Sequence, residues 1–298
     1  MRNFFAFLFM VTSLAALSQN ETVEPLKNKK GVLLLPQTGE WGLGISASPL
    51  LQYTGNLLNG NTNNSGAAFN YSTNPASIGN NIAVFGKYVK NENTHYRARF
   101  NASVATVIDK VVLSADVLTP DPEDPAFTED RRSTNSRTFI LSAGIEKRRG
   151  STRLQGFYGA EALLGYFGQS AKFEYGNSIS ADFTSPTSNN FGNNFNGFTS
   201  DGDRIRSTSR RTGNSLLIGA RGFIGVEYFF APRISLGGEF GYMISLRSNG
   251  KTVVETEQWS NTTNSILNDE VESYSSGPTT IGIGLDNLSG SINLLFYF

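Results

Sequence analysis

The chain contains no cysteine and a single histidine, His95, in 298 residues. The absence of cysteine excludes disulfides, thiolate metal sites and a lipid-modified cysteine. Charged residues make up only 17% of the chain, with 25 basic and 25 acidic side chains, whereas about a quarter is typical of soluble proteins. This balance produces no strong field of either sign, so no nucleic-acid partner is expected.

The sequence also lacks a long apolar run. Its longest apolar stretch, residues 4–17, follows Arg2 and ends at Ala16-Leu17-Ser18. Because a helix that crosses a bilayer needs about 20 residues, this stretch predicts a signal peptide over residues 1–18, cleaved before Gln19. No later segment resembles a transmembrane helix, and a membrane protein without such helices must close its backbone hydrogen bonds as a barrel.

Beyond a polar periplasmic leader predicted over residues 19–40, apolar residues alternate with polar or small ones through a domain at residues 41–298. The period of two, which is that of a β-strand, is clearest at the C-terminus. There one face carries Leu288, Gly290, Ile292, Leu294, Phe296 and Phe298. Eight segments are predicted as strands: Trp41–Tyr53, Asn81–Val89, His95–Thr106, Arg137–Lys147, Arg153–Phe167, Leu216–Tyr228, Ile234–Arg247 and Asn287–Phe298.

The connections between these segments alternate in length. Short turns are predicted around Lys90–Thr94, Arg148–Thr152 and Phe230–Arg233, and long loops over Thr54–Asn80, Val107–Ser136, Gly168–Asn214 and Ser248–Pro278. Short periplasmic turns and long extracellular loops are typical of an all-β, antiparallel up-and-down barrel in the outer membrane. Eight strands are expected. The segments Lys172–Phe183 and Lys251–Trp259 are either extensions of strands above the membrane or an added hairpin, which would make ten strands. A secreted soluble β-sheet protein is the competing fold.

Aromatic residues fall near the ends of the predicted strands, as in the girdles of membrane barrels. The periplasmic girdle is predicted to contain Trp41, Tyr88, Tyr96, Tyr228 and Phe298. Tyr53 and Tyr166 are expected at the outer girdle.

Three segments carry a resemblance to a known group. They are Leu35-Pro36-Gln37-Thr38-Gly39-Glu40-Trp41-Gly42-Leu43-Gly44; Phe85-Gly86-Lys87-Tyr88 with the turn leading to Tyr96-Arg97-Ala98-Arg99; and the final Phe296-Tyr297-Phe298. The first two resemble the small β-barrel outer-membrane proteins of Bacteroidota. The last is similar to the C-terminal assembly signal of outer-membrane barrels, with Phe296 and Phe298 as its key residues. The resemblance implies a Gram-negative cell envelope and contact with the barrel-assembly machinery, but it transfers no catalytic residue.

Charged residues gather on the inward face of the predicted strands. They form a candidate lumen network of four bases and four acids: Lys87, Arg97, Arg99, Arg221, Glu146, Glu161, Glu227 and Glu239. An eight-stranded barrel is just wide enough for side chains to fill it, so these residues are predicted to plug the lumen structurally. A narrow gated channel for small solutes is the alternative.

An enzymatic role is not expected, because the single histidine, His95, lies beside a predicted periplasmic turn with no serine placed to meet it. An envelope enzyme that processes lipid or peptide is therefore the weakest hypothesis. No cofactor and no metal are expected. Envelope structure or interaction is the predicted role. The expected partners are outer-membrane lipid, lipopolysaccharide and a larger envelope complex. Basic residues of the third long loop, Arg204, Arg206, Arg210 and Arg211, are candidates for lipopolysaccharide phosphates or an ordinary solvated charge run.

Overall fold

The computed structural model describes residues 26–46, 83–189, 191, 197–198, 204–272, 276–285 and 291–298. No helix among these residues is both long enough and apolar enough to span a bilayer. The strands are β1 Trp41–Ser46, β2 Ala83–Asn91, β3 Thr94–Ser114, β4 Phe127–Arg149, β5 Leu154–Glu174, β6 Gly197–Phe198, β7 Arg204–Ala231, β8 Ile234–Asn249, β9 Val253–Ser260, β10 Ser265–Glu272, β11 Thr280–Leu285 and β12 Ser291–Tyr297.

The antiparallel sheet closes on itself. Its ring runs β7-β5-β4-β3-β2-β1-β12-β8 and returns from β8 to β7. β11 and β12 pair with different parts of β8, at Tyr242–Arg247 and Ile234–Glu239 respectively, so they share one place in the ring. The pairing of β1 with β12 completes the closure. The predicted all-β class and barrel-like antiparallel closure are therefore confirmed.

Three tight connections lie at one end of the ring, which we call the turn end. They are residues 92–93, 150–153 and 232–233. The first and third lie inside their predicted turns, and the second runs one residue past the predicted Arg148–Thr152. Gly150 and Arg233 adopt positive φ there, at 103° and 59°. This geometry fits a short reversal between antiparallel strands, for which a left-handed residue is often needed.

The predicted loop boundaries at the opposite, loop end were wrong. β3 and β4 stay paired out to Ser114 and Phe127, so most of the predicted loop Val107–Ser136 is strand. β5 continues through Glu174, and β7 already begins at Arg204. Polar and charged residues dominate much of these extensions and mask the alternating pattern that marks a half-buried strand.

The segment Lys251–Trp259 does not widen the ring. Its residues belong largely to β9, which pairs with β10 and with the outer part of β7 at Arg206–Arg211. Of Lys172–Phe183, only Lys172–Glu174 is strand, as the end of β5. The hairpin therefore extends an open sheet above the ring. The predictions for residues 1–25, Thr54–Asn80 and the ends of three strands (47–53, 81–82 and 287–290) lie outside the described residues.

The outward face of the ring is a belt of exposed apolar side chains. Outward residues include Leu43, Phe100, Leu141, Leu164, Ile218, Ile224, Phe240, Ile244, Ile283 and Phe296. At the turn end the belt is edged by aromatic residues, since the Trp41 and Tyr88 rings lie 4.9 Å apart and the Tyr88 and Tyr96 rings 6.4 Å apart. At the loop end, the Phe139 and Tyr166 rings lie 6.4 Å apart.

The leader is more ordered than its polar composition indicates. Residues 26–34 form a small hairpin, in which the Leu34 amide donates to the Leu26 carbonyl at 2.9 Å. The Arg233 amide in turn donates to the Leu34 carbonyl at 3.0 Å, and Leu34 is only 1% exposed. The leader thus covers the turn end of the ring, with Leu35 packed against its apolar floor of Val89, Phe229, Leu295 and Tyr297.

The open sheet at the loop end is tied to the segment that follows β5. The Asn177 side-chain amide donates to the carbonyls of Ser114 and Thr187, at 3.0 and 2.9 Å. The buried Asp130 carboxylate accepts from the Gly176 amide at 2.9 Å. These bonds fix the segment against the tips of β3 and β4, so the described residues at this end present an ordered surface.

Candidate functional site

The structure brings together all eight of the charged residues that the sequence placed in the lumen. Each lies on an inward position of β2, β3, β4, β5, β7 or β8, and all but Arg99 are buried. The network spans residues far apart in the chain because the ring places inward positions of different strands opposite one another. We call it the lumen network.

The lower half of the network lies nearest the turn end. Lys87 Nζ sits 3.0 Å from a carboxylate oxygen of Glu146 and 3.0 Å from one of Glu227. Arg148 joins the same two carboxylates: its Nε lies 2.8 Å from Glu146 Oε1, and its Nη2 pairs with Glu227. Each carboxylate therefore has at least two cations, which is how a buried charge is made tolerable.

The upper half of the network is built around Glu161 and Glu239. Arg221 bridges them, with Nη1 3.0 Å from Glu161 and Nη2 3.0 Å from Glu239. Arg97 does the same from another strand, at 3.3 and 2.9 Å. Arg99 also pairs with Glu239, and its side chain keeps 20% exposure, which marks the upper limit of the dry network.

Arg97 connects the two halves and stacks on an aromatic ring. Its Nη1 lies 3.4 Å from Glu146 Oε2 in the lower half. Its guanidinium carbon lies 4.1 Å from the centre of the Phe223 ring, and Lys87 Nζ lies 4.9 Å from that of Phe157. A cation over a desolvated ring gains further attraction, so the phenylalanines support the charges as well as fill space.

Glycines make room for these large side chains. A Cβ at Gly159 would lie 2.7 Å from the Phe223 ring, and one at Gly241 would overlap the Arg221 guanidinium. Small and large residues thus alternate across the lumen, as a filled narrow barrel requires.

The sequence missed Arg148, because it adjoins Arg149 and Gly150 in a predicted turn. Its position two residues after Glu146, on the same face of β4, was the available signal. With Arg148 the network holds five cations and four carboxylates. Tyr297 and Ser235 also belong to the network, because both hydroxyls donate to Glu227, and the sequence did not reveal them. Hydroxyls at inward positions of a polar face carry no signal that separates them from solvated ones.

Apolar layers lie on both sides of the network. The floor is the cluster of Val89, Phe229, Leu295 and Tyr297 already described, with the leader beneath it. Toward the loop end, Ile140, Phe167 and Leu217 form a second buried cluster, with Leu163 packed against it. The charges are therefore enclosed between two apolar layers of the ring.

His95 lies at the turn end as expected, but its side chain points inward and is 2% exposed. Its ring centre lies 6.5 Å from that of Tyr297, in an edge-on arrangement. Its Nδ1 has no hydrogen-bond partner among the described residues. No serine or carboxylate hydrogen-bonds to the ring in this part of the chain, so the geometry gives it no nucleophile to activate.

Phe296 and Phe298 both lie on the outward face, next to the closing pair of strands. Phe296 is paired with Leu43 and with Ile234, and Phe298 and Trp41 exchange two backbone hydrogen bonds of 2.8 and 2.9 Å. Phe298 is 68% exposed. The proposed assembly signal therefore forms the seam of the ring, with its aromatic side chains on the surface.

The basic residues assigned to the third loop lie on β7 and have different surroundings. Arg206 is buried, pairs with Glu257 at 2.6 Å and donates to the Asn177 carbonyl at 2.8 Å. Arg211 is exposed and lies 3.7 Å from Glu255. The described residues hold no group of three or more metal-ligating side chains.

Comparison with known proteins identifies no relative. No family model, no curated protein and no solved structure matches this chain. The resemblance to Bacteroidota outer-membrane barrels therefore stays a prediction, and the case for function depends on the geometry of the ring.

Proposed function

We propose that the mature chain is a non-enzymatic β-barrel of the bacterial outer membrane, crossing it with eight strands around a lumen filled by side chains. Its role is structural or adhesive: it holds an ordered surface outside the membrane for contact with other envelope components. One observation carries the proposal. The ring is inside out for a soluble protein, with apolar side chains exposed around it and charged pairs buried within it.

The exposed belt supports insertion into lipid. Trp41 at its lower edge is 57% exposed, and large aliphatic residues between the two aromatic edges are similarly uncovered. Soluble monomers rarely expose contiguous apolar patches larger than a few hundred Å². From Leu154 to Tyr166 on β5, about 12 residues at about 3.3 Å each and a tilt of about 40° give a height of about 30 Å, close to a hydrocarbon core.

The interior supports a closed barrel. Eight strands leave space only for side chains, and here that space holds the lumen network and two apolar layers. An ion entering the ring would have to break several paired charges and displace buried phenylalanines. The narrow channel therefore has less support than the plugged barrel, and conductance decides between them.

The loop end supports a role in contact. β3, β4, β5 and β7 continue beyond the belt and are widened by the hairpin of β9 and β10. This open sheet is a rigid platform, which is suited to binding another envelope component or a neighbouring subunit. The partner itself is left to experiment, since a fold does not specify one.

Insertion is tested by floating the mature protein with lipid vesicles and comparing its gel mobility before and after heating. We expect flotation and a heat-dependent mobility shift, both lost on deleting Ser291–Phe298, which opens the ring. The control deletes Val253–Glu272, the hairpin of β9 and β10 outside the ring, and should keep both properties. Recovery of the mature chain as a soluble monomer without detergent would refute the proposal.

A further inference from the structure

A pocket of about 310 Å³ lies at the loop end of the ring, on its outward side. Its lining includes Arg137, Tyr166, Ser170, Arg211, Asn214 and Lys251. The pocket is therefore made by strands β4, β5 and β7, by the connection from β8 to β9, and by Val253 at the start of β9. It is separate from the lumen network, whose residues point into the ring.

The pocket begins where the apolar belt ends. Arg137 lies two residues before Phe139 in β4, on the same outward face and nearer the loop end, and Phe139 stacks against Tyr166. Arg137 is paired with Gly168 on β5, where a Cβ would lie 3.1 Å from Asn214 Oδ1 and 3.4 Å from the Tyr166 hydroxyl oxygen, so both polar groups come close to the backbone there. If the belt lies in hydrocarbon, the pocket opens at the level of the outer headgroups.

Positive charge prevails in the pocket. Arg137 makes no ion pair with any residue that the structure describes, and Arg211 meets Glu255 only at 3.7 Å. Lys251 pairs with Glu272 at 3.0 Å, but both side chains are about half exposed, so water and other ions compete for them. Side-chain amides and hydroxyls of Asn214, Ser170 and Tyr166 complete a polar lining.

We propose that this pocket binds the phosphate of a glycolipid headgroup in the outer leaflet, an assignment that rests on the proposed membrane barrel. Arginine donates two parallel hydrogen bonds to phosphate, and no carboxylate of the described residues pairs with the guanidinium of Arg137. The amide and hydroxyl groups match sugar hydroxyls beside the phosphate. The volume is at the lower end for a small-molecule site, which suits a phosphosugar whose acyl chains lie along the belt.

The test measures, by native mass spectrometry, the binding of bisphosphorylated lipid A to the mature protein in detergent. Lipid A stripped of phosphate and inorganic phosphate serve as comparison ligands. Arg137→Gln and Arg211→Gln should each weaken binding of the phosphorylated lipid about tenfold. Arg137→Lys, which keeps the charge and loses the fork, should weaken it less. Arg149→Gln, an exposed arginine at the turn end of the same strand, is the matched control and should bind as the unchanged protein does.

Each outcome decides the assignment. Loss of affinity confined to the pocket variants and to the phosphorylated lipid supports it. Equal binding by Arg137→Gln and the unchanged protein would overturn it. Equally tight binding of inorganic phosphate would show a site for free phosphate instead of a lipid. Flotation and the heat-dependent shift are measured on every variant, so failure of the barrel itself appears there, separately from failure of the pocket.

Discussion

Replacing Glu227 with glutamine is the sharpest perturbation of the lumen network. Glu227 is fully buried and accepts from Lys87, Arg148, Ser235 and Tyr297. Glutamine has nearly the same shape, so no cavity is created. It removes one negative charge from a network that already holds one more cation than carboxylates, and it points an amide N–H₂ toward a cation.

The expected cost follows from these contacts. Removing one partner of a buried ion pair costs about 3–5 kcal/mol, because the charge left behind remains desolvated. The matched control is Glu174→Gln, in which the carboxylate pairs with Lys172 at 3.0 Å but both side chains are at least half exposed. An exposed pair contributes little because water screens it, so Glu227→Gln should lower the free energy of unfolding several times more than Glu174→Gln does.

The assay is urea unfolding in lipid vesicles, with the folded fraction read from the heat-dependent gel shift. A double variant, Glu227→Gln with Arg148→Met, separates charge from packing, because it removes both partners. We expect the double variant to lose at least ~1 kcal/mol less than the sum of the two single changes. A Glu227→Gln variant no less stable than Glu174→Gln, or strict additivity in the double variant, would refute a dry, paired network.

Three further predictions test other parts of the molecule. Leu34→Ala should cost about 2–5 kcal/mol in the same urea assay, because Leu34 is buried against the turn end of the ring; an effect below ~1 kcal/mol would show that the leader is a loose tether. Gly241→Ala should destabilise the barrel by displacing the Arg221 guanidinium, whereas Gly222→Ala, with open space around it, should not; equal stability of the two variants in urea would contradict the packing. Brominated lipids should quench the fluorescence of Trp41 in the belt and spare that of Trp259 in the outer hairpin. Each tryptophan is measured alone, Trp41 in the variant Trp259→Phe and Trp259 in the variant Trp41→Phe. Quenching of Trp259 alone would place the membrane elsewhere.

The sequence predicts the ring best where one face is apolar and the other polar. In β8 and β12 the alternation around Leu236 and Leu294 identified both the strand and its outward face, because a shift of one residue would exchange the two faces. The alternation in β8 placed Glu239 inside the ring, and the alternation in β7 placed Arg221 there. The sequence did not predict which carboxylate pairs with which cation, because partners such as Arg97 and Glu239 come from strands that are not neighbours.

The extensions beyond the belt were missed for a physical reason. In β3, Val111, Val112 and Leu113 are consecutive apolar residues, so they show no period of two, and across from them β4 is largely charged. Cross-strand pairing and Asn177 hold this region, and neither leaves a periodic signal. The contacts of the leader were not predicted from sequence either: Leu33-Leu34-Leu35 is a short apolar run whose burial depends on the ring that it covers.

The outward pocket shows the same limit. The run of arginines marks Arg211 as a candidate for phosphate binding, but the sequence indicates Arg137 only as the start of a strand. The two come together because β5 lies between β4 and β7 and leaves Gly168 and Ser170 as small residues beneath them. Spatial convergence of this kind depends on strand order, which periodicity does not reveal.

Single-channel recording tests the central claim most directly. Insertion of the mature protein is first checked by flotation and the heat-dependent shift. The protein is then added to a planar bilayer under voltage. A plugged lumen predicts no steady conductance above that of the lipid, and the same silence after removal of residues 26–35 of the leader, since the lumen network remains. Steady openings of the unchanged protein, altered when Glu161 and Arg221 are replaced together, would contradict the plugged barrel and establish a gated channel.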